Sequence, residues 1–175
     1  MNERNRWVVG ADEGDRFLVA GGLLATVHKV VGDQTGGVVA LAEHILEPGQ
    51  LGSPRHVHRR EHEISFVLEG VLGVEVGGEA FDAPPGTTVF KPKDVPHAFW
   101  NAGPDVVRFV EVFAPAGFER YFADLEPLIP ADNPPDGEAL AALWARYGLE
   151  MDPASMPELI ARYGLAAPGP PPAAG

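Results

Sequence analysis

Two short stretches hold most of the residues in this chain that could do chemistry. Four of the six histidines fall between positions 56 and 97, and the first stretch reads His56-Val57-His58-Arg59-Arg60-Glu61-His62-Glu63. In an extended strand, residues two apart point to one face, so His56 and His58 can both aim at one ion. Glu63 lies five residues past His58, the wrong parity for one uninterrupted strand. A turn or bulge around Arg59–Glu61 would restore the parity and aim the carboxylate at the same point. The second stretch runs from Gly86 through Pro92 and Asp94 to His97, with Asn101 just beyond. His97 opens a new apolar run after a proline-rich turn, so it can arrive from across a barrel. The chain has no cysteine, which excludes a disulfide framework, a zinc ribbon, an iron–sulfur cluster and thiol catalysis together. Any metal must be held by histidine and carboxylate.

The elements that would position these residues are short. Apolar runs at Arg16–Val19, Leu23–Val30, Val38–Leu46, Glu63–Leu68, Leu72–Val76, Glu79–Ala83, Thr87–Phe90, His97–Trp100 and Val106–Phe113 read as strands. They are separated by Gly, Pro and Asp, with breaks that include Pro48–Pro54 and Pro92–Pro96, and no helical pattern intervenes. That spacing predicts an all-β antiparallel sandwich or barrel. Gly77–Gly78 is a two-residue hairpin signal. After about Ala114 the pattern changes. Phe118–Leu125 predicts a short helix, and a second opens at Asp136 or Gly137 and stops at Gly148. A third begins at Ser155, where Ser155–Glu158 matches a capping box, and ends at Gly164. The expected organisation is a β-barrel over 1–127, a helical extension over 128–166 and a disordered tail over 167–175.

Twenty-five acidic against 13 basic side chains give a net charge of −12, with 45% hydrophobic residues, 21 glycines and 18 prolines among 175. A chain of this size closes one hydrophobic core. Its acidity argues against nucleic acid and against anionic membrane surfaces as partners. The N-terminal stretch is polar and no apolar run approaches the roughly 18–20 residues needed to span a bilayer, so a cytoplasmic protein is expected.

The two histidine stretches also resemble a known family. His56-x-His58, four residues, Glu63, six residues, Gly70 is similar to the first motif of the cupins. Gly86, five residues, Pro92, four residues, His97, three residues, Asn101 is similar to the second. The short gap from Gly70 to Gly86 resembles compact single-domain bacterial cupins, and the likeness covers roughly residues 36–125. Within the superfamily, RHVHRREHEISFVLEG and APAGFERYF look closest to the quercetin-dioxygenase-like group. Two positions depart from the pattern. Gln50 stands where a glycine often precedes the first ligand, and Asp94 stands at the glycine of the second motif's turn. Asp tolerates a left-handed turn, so the fold survives that change.

The resemblance implies a jelly-roll barrel and a metal held by His56, His58, Glu63 and His97. Such a set suits one divalent transition metal, Fe, Mn, Ni or Co, and Zn also fits. In octahedral geometry it leaves two adjacent positions for a small-molecule substrate with neighbouring oxygens, such as an enediol or hydroxy-ketone. Glu63 would remain a ligand or detach and act as the base. The strands around the ligands supply Ile64, Phe66, Val67, Phe90, Phe99, Trp100, Phe109 and Phe113 as an apolar mouth, and by parity Phe99 and Asn101 share the face of His97. His44 could point inward to the site; a hydrogen-bonded core histidine is its plainer reading. His62 should face away from Glu63, and Arg59–Arg60–Glu61 reads as a solvated turn. The first functional reading is a dioxygenase acting on a small enolisable or aromatic compound. The second is a non-redox isomerase or cyclase, and the third a small-molecule-binding protein without turnover. Pairing through the sheets as a homodimer is implied as well.

Overall fold

The computed structural model describes residues 7–129 and 135–166. Its elements are β1 (Arg16–Val19), β2 (Leu24–Val30), β3 (Ala40–Leu46), β4 (Leu51–His58), β5 (His62–Glu69), β6 (Leu72–Val76), β7 (Glu79–Ala83), β8 (Thr88–Lys91), β9 (His97–Trp100) and β10 (Val107–Ala114). After these come α1 (Tyr121–Leu125), α2 (Gly137–Tyr147), β11 (Leu149–Asp152) and α3 (Met156–Tyr163), with single 3-10 turns between. The expected tail at 167–175 lies outside the described residues.

All strand pairs are antiparallel and form two sheets, ordered β1-β2-β3-β10-β5-β8 and β11-β4-β9-β6-β7. The architecture is the expected jelly-roll barrel with a short helical extension. Side chains alternate across each strand, most plainly in β10, where every second residue from Val107 to Phe113 is buried. At one end the inward positions are apolar: Leu24, Leu46, Val67, Leu72, Val74, Val107 and Phe109 pack with Phe99. Gly52 makes room for that ring, since a Cβ there would lie 2.0 Å from it. Toward the other end the inward positions turn polar, and there the histidines gather.

The β6–β7 hairpin turns on Gly77 and Gly78, both at positive φ. Asp94 takes φ 67°, the left-handed conformation its position requires. Gly148 and Gly164 end α2 and α3 in the same conformation. Asp136 caps α2 by accepting from the backbone N–H of Glu138 and Ala139.

Three expectations need correction. Residues 51–54 of the expected break at Pro48–Pro54 are the first half of β4, whose pairing with β9 shifts register between Leu51 and Ser53 and again between Ser53 and His56. Those irregularities accommodate a proline that cannot donate to a ladder. The link between the last two helices contains β11, which pairs with the ligand-bearing strand in the register Leu149↔His58 and Met151↔His56. Ser155 is not a helix cap. It lies in a helical conformation without a capping bond; its Oγ donates to Asp152 O and accepts from Arg55 N–H.

The extension is thus joined to the barrel by backbone pairing and by arginines from the ligand segment. Arg55 reaches Glu75 and Glu158, Arg59 reaches Glu150 and Asp94, and Arg60 donates to the Arg146 carbonyl. Leu159 and Leu165 pack with Ala98 and Trp100, and Tyr163 stacks on Trp100 with ring centroids 3.8 Å apart.

Candidate metal centre

β4 delivers His56 and His58 to the barrel interior, β5 delivers Glu63, and His97 opens β9 directly across from His56. The turn at Arg59–Glu61 corrects the parity as expected. One ligand atom from each of the four lies within 4.8 Å of all the others, and all four residues are buried.

The outer nitrogens of the rings are already committed. His56 Nδ1 sits 2.8 Å from Pro54 O and 2.7 Å from Ser53 Oγ, and His97 Nδ1 sits 3.1 Å from Val95 O. A carbonyl only accepts, so both Nδ1 atoms carry the proton. His58 Nδ1 is bonded to the Glu61 carboxylate, which fixes the same tautomer. All three rings therefore turn Nε2 inward. Burial holds His97 below its ordinary pKa and His56 well below, so these rings are neutral.

Neutral His97 places Nε2 2.8 Å from Glu63 Oε2, and His58 Nε2 lies 3.4 Å from Glu63 Oε1. His58 Nε2 is also buried without a hydrogen-bond partner. Nitrogens of three imidazoles and a carboxylate converging on one point are the environment a cation requires, and the donor set fits a divalent transition metal. Burial alone would raise the Glu63 carboxyl; proximity to His58, Lys91 and His97 outweighs it and holds the group well below the carboxylate range.

Lys91, Glu111, Ser65 and Glu61 escaped the sequence reading. Glu61 is 4% exposed, not part of a solvated turn, and orients His58 in the manner of carboxylates behind metal-bound histidines. Its place three residues past His58 is the signal, since a tight turn returns it to that ring. Lys91 is 2% exposed, with Nζ 2.6 Å from Glu111 Oε2 and 3.2 Å from Glu63 Oε2. Ser65 Oγ donates to the same Glu111 oxygen at 2.9 Å. Burial pushes the Glu111 carboxyl up to about 7, while Lys91 stays charged because the two carboxylates outweigh its desolvation. Inward parity with Val89 was the available signal for Lys91, had β8 been extended by one residue.

The expected substrate residues divide. Phe99 faces inward beneath Lys91, whose Nζ lies 5.7 Å from the ring centroid. His44 is buried against Phe109 and Phe122 and bonded through Nδ1 to Thr26 Oγ1 at 2.9 Å; burial lowers its pKa to about 3. Asn101 does not share the site. Its Nδ2 donates to Leu46 O, Glu47 O and Asp105 O, and its Oδ1 accepts from Gly103 N–H, so the carboxamide ties loops at the strand's far end. Phe66 and Phe90 stand on the outer sheet face, 42% and 54% exposed, and Trp100 lies under Tyr163, so none of the three lines the mouth. Phe118 does, its ring edge-on to His58 at 4.2 Å between centroids. His62 faces outward as expected, accepting from Lys93 N–H at 3.1 Å. A separate groove of about 350 Å³ on the outer face, bordered by Arg16, Glu43 and Arg108, contains none of the cluster residues.

The chain matches the family described as Cupin domain over residues 42–113. It is 33% identical over 116 residues to the polyketide synthase CurC of Streptomyces cyaneus, covering 66% of this chain and 73% of that protein. The chain belongs to the cupin family. Among solved structures it resembles a predicted oxalate decarboxylase from Thermotoga maritima, with a TM-score of 0.56 and 23% identity over 62% of this chain and 98% of that one. It also resembles a cupin-superfamily sugar phosphate isomerase from Silicibacter pomeroyi, with a TM-score of 0.53 and 24% identity over 61% and 74% of the two chains. The polyketide cyclase RemF from Streptomyces resistomycificus gives 0.53 and 20% over 61% and 78%. These structural likenesses concern the fold.

Proposed function

We propose that this chain is a metal-dependent enzyme that enolises and cyclises a small oxygen-rich compound, with His56, His58, Glu63 and His97 as ligands of one divalent transition metal. The observation that carries the reading is the set of inward Nε2 atoms converging with Glu63, with every Nδ1 already bonded. A bound ion supplies Lewis acidity toward neighbouring oxygens of an enediol or hydroxy-ketone.

The chain's own residues do the rest. Glu63, kept ionised, has a carboxylate that can accept the proton released on enolisation. Phe118 and Phe113 close the apolar side of the site and keep water from the reacting atoms. His44, neutral in its aromatic surround, presents no competing charge.

The non-redox reading is preferred over the dioxygenase reading on the likeness to a polyketide synthase, since polyketides carry enolisable carbonyls. The histidine-rich ligand set also suits a redox metal, which keeps oxygenation as the second reading. Elemental analysis of the purified chain, followed by turnover of enolisable aromatic ketones with and without oxygen, tests both. Conversion under strict anaerobiosis supports cyclisation, and oxygen uptake in step with conversion replaces it with oxygenation. Tight ligand binding without conversion in either atmosphere leaves a binding protein. We further propose a soluble cytoplasmic homodimer; among the described residues no helix is long and apolar enough to cross a membrane.

A further inference from the structure

We infer that Lys91 is a positioning residue that holds one oxygen of Glu63 for the barrel, so that Glu63 serves the metal as a weakly held, one-oxygen ligand. The inference rests on the metal reading above and concerns how this chain moderates it. Register fixes the arrangement. Glu63 pairs with Lys91 across β5 and β8, and Ser65 pairs with Glu111 across β5 and β10, so all four side chains share one inward face. Lys91 already has a counter-ion in Glu111 at 2.6 Å, and Ser65 locks that carboxylate in place. The second contact, 3.2 Å to Glu63 Oε2, ties the same ammonium to a carboxylate of the ligand set. The lysine cannot withdraw. Its chain is fully buried, Phe99 lies beneath the ammonium, and Pro92 follows where β8 ends.

The consequences have a definite sign. A fixed ammonium beside the ligand set repels a divalent ion and competes with it for Glu63. It weakens metal binding and leaves coordination positions free for substrate oxygens. A lysine that merely supported the fold would do the opposite, since its loss would loosen the site and weaken binding.

The test uses the full chain and Co²⁺ alone, followed by visible absorption and by competition with a chelator. Lys91→Met should bind Co²⁺ about tenfold more tightly than wild type, from relief of charge repulsion in a poorly screened interior, with an altered visible band as Glu63 gains freedom to offer both oxygens. Because Lys91→Met strands Glu111, the double variant Lys91→Met/Glu111→Gln removes both charges and should show the same tightening. Equal or weaker binding with an unchanged band, in the better-folded of the two variants, overturns the role of Lys91 alone. Failure of the wild-type chain to take up Co²⁺ overturns the metal reading and this inference with it.

Discussion

His97 Nε2 lies 2.8 Å from Glu63 Oε2, and neither atom has a proton to offer the other. The imidazole proton is on Nδ1, pointed at Val95 O, and the carboxyl is held ionised. Two acceptors do not hold this distance in a buried site unless a cation or an extra proton joins them, and burial disfavours the extra proton on His97. His58 Nε2 also faces this carboxylate, 3.4 Å from Glu63 Oε1, and is buried without a hydrogen bond. His56→Ala and His97→Ala should each abolish stoichiometric metal, read by elemental analysis. In the wild type a chelator should lower the melting temperature, because an ion at a hundred times its dissociation constant adds roughly 2.7 kcal/mol. The His97→Ala protein should not respond. Full metal content in both variants would remove these four residues as the site.

Glu61 should matter to the metal without touching it. Its carboxylate accepts from His58 Nδ1 in a nearly closed environment. Glu61→Ala should lower metal affinity about 10–100-fold, the usual consequence of removing a partner behind a ligand histidine. Glu61→Gln, which keeps an acceptor and loses the charge, should fall between. His62→Ala, one residue along and facing outward, should leave affinity unchanged. Chelator competition distinguishes the three, and a larger loss in His62→Ala than in Glu61→Ala would mean the turn has a different register.

The contrast between Glu61 and His56 shows where a sequence is readable. His56, His58, Glu63 and His97 can be recognised because strand parity and motif spacing are local properties, and the turn between His58 and Glu63 needs only one correction. Glu61 looks like a surface residue because two arginines precede it, yet the same turn drives those arginines outward and the carboxylate inward. Lys91 reads as the end of a strand, and its role depends on β5, β8 and β10 lying side by side. β11 is harder still. Leu149–Asp152 alternates apolar and polar residues over only four positions between two helices, too short a run to stand out, and it becomes a strand by pairing with β4. Asn101 fails for a related reason. Parity places it on the ligand face, but the strand has ended and three backbone carbonyls claim its amide.

His44 should impose a pH dependence on stability. Its pKa falls from 6.5 to about 3 on folding, chiefly through burial. A base with a depressed folded pKa is protonated in the unfolded chain first, so its contribution is complete above pH 6.5 and is lost as the pH falls toward 3. Glu111, raised from 4.5 to about 7, acts in the opposite sense and loses its contribution as the pH rises through that range. The two partly cancel in wild type, so the comparison that isolates His44 is with His44→Gln. Urea unfolding of the metal-free proteins between pH 4 and 6 should show wild type gaining about 1.4 kcal/mol more per pH unit than the variant, the value for one proton. Parallel curves would mean that His44 is protonated in the folded chain.

The outer face of the larger sheet should hold the second copy of the chain. On β5 Val67 packs in the core, whereas the other apolar residues, Ile64, Phe66 and Leu68, point away from it. They are joined by Phe90 opposite Ile64, and by Val110 and Val112 opposite Phe66 and Ile64. Phe66, Leu68 and Phe90 are each more than 40% exposed, a contiguous apolar patch of the kind that marks an interaction surface. A two-fold contact is self-complementary, so one substitution acts twice in each dimer. Light scattering should give a mass near twice 18.6 kDa for the wild type. Phe66→Asp should shift it to the monomer while leaving metal content unchanged, since that side chain is on the face opposite Glu63. A wild-type mass near 18.6 kDa would leave this face to some other partner, and a Phe66→Asp dimer would move the contact to another face.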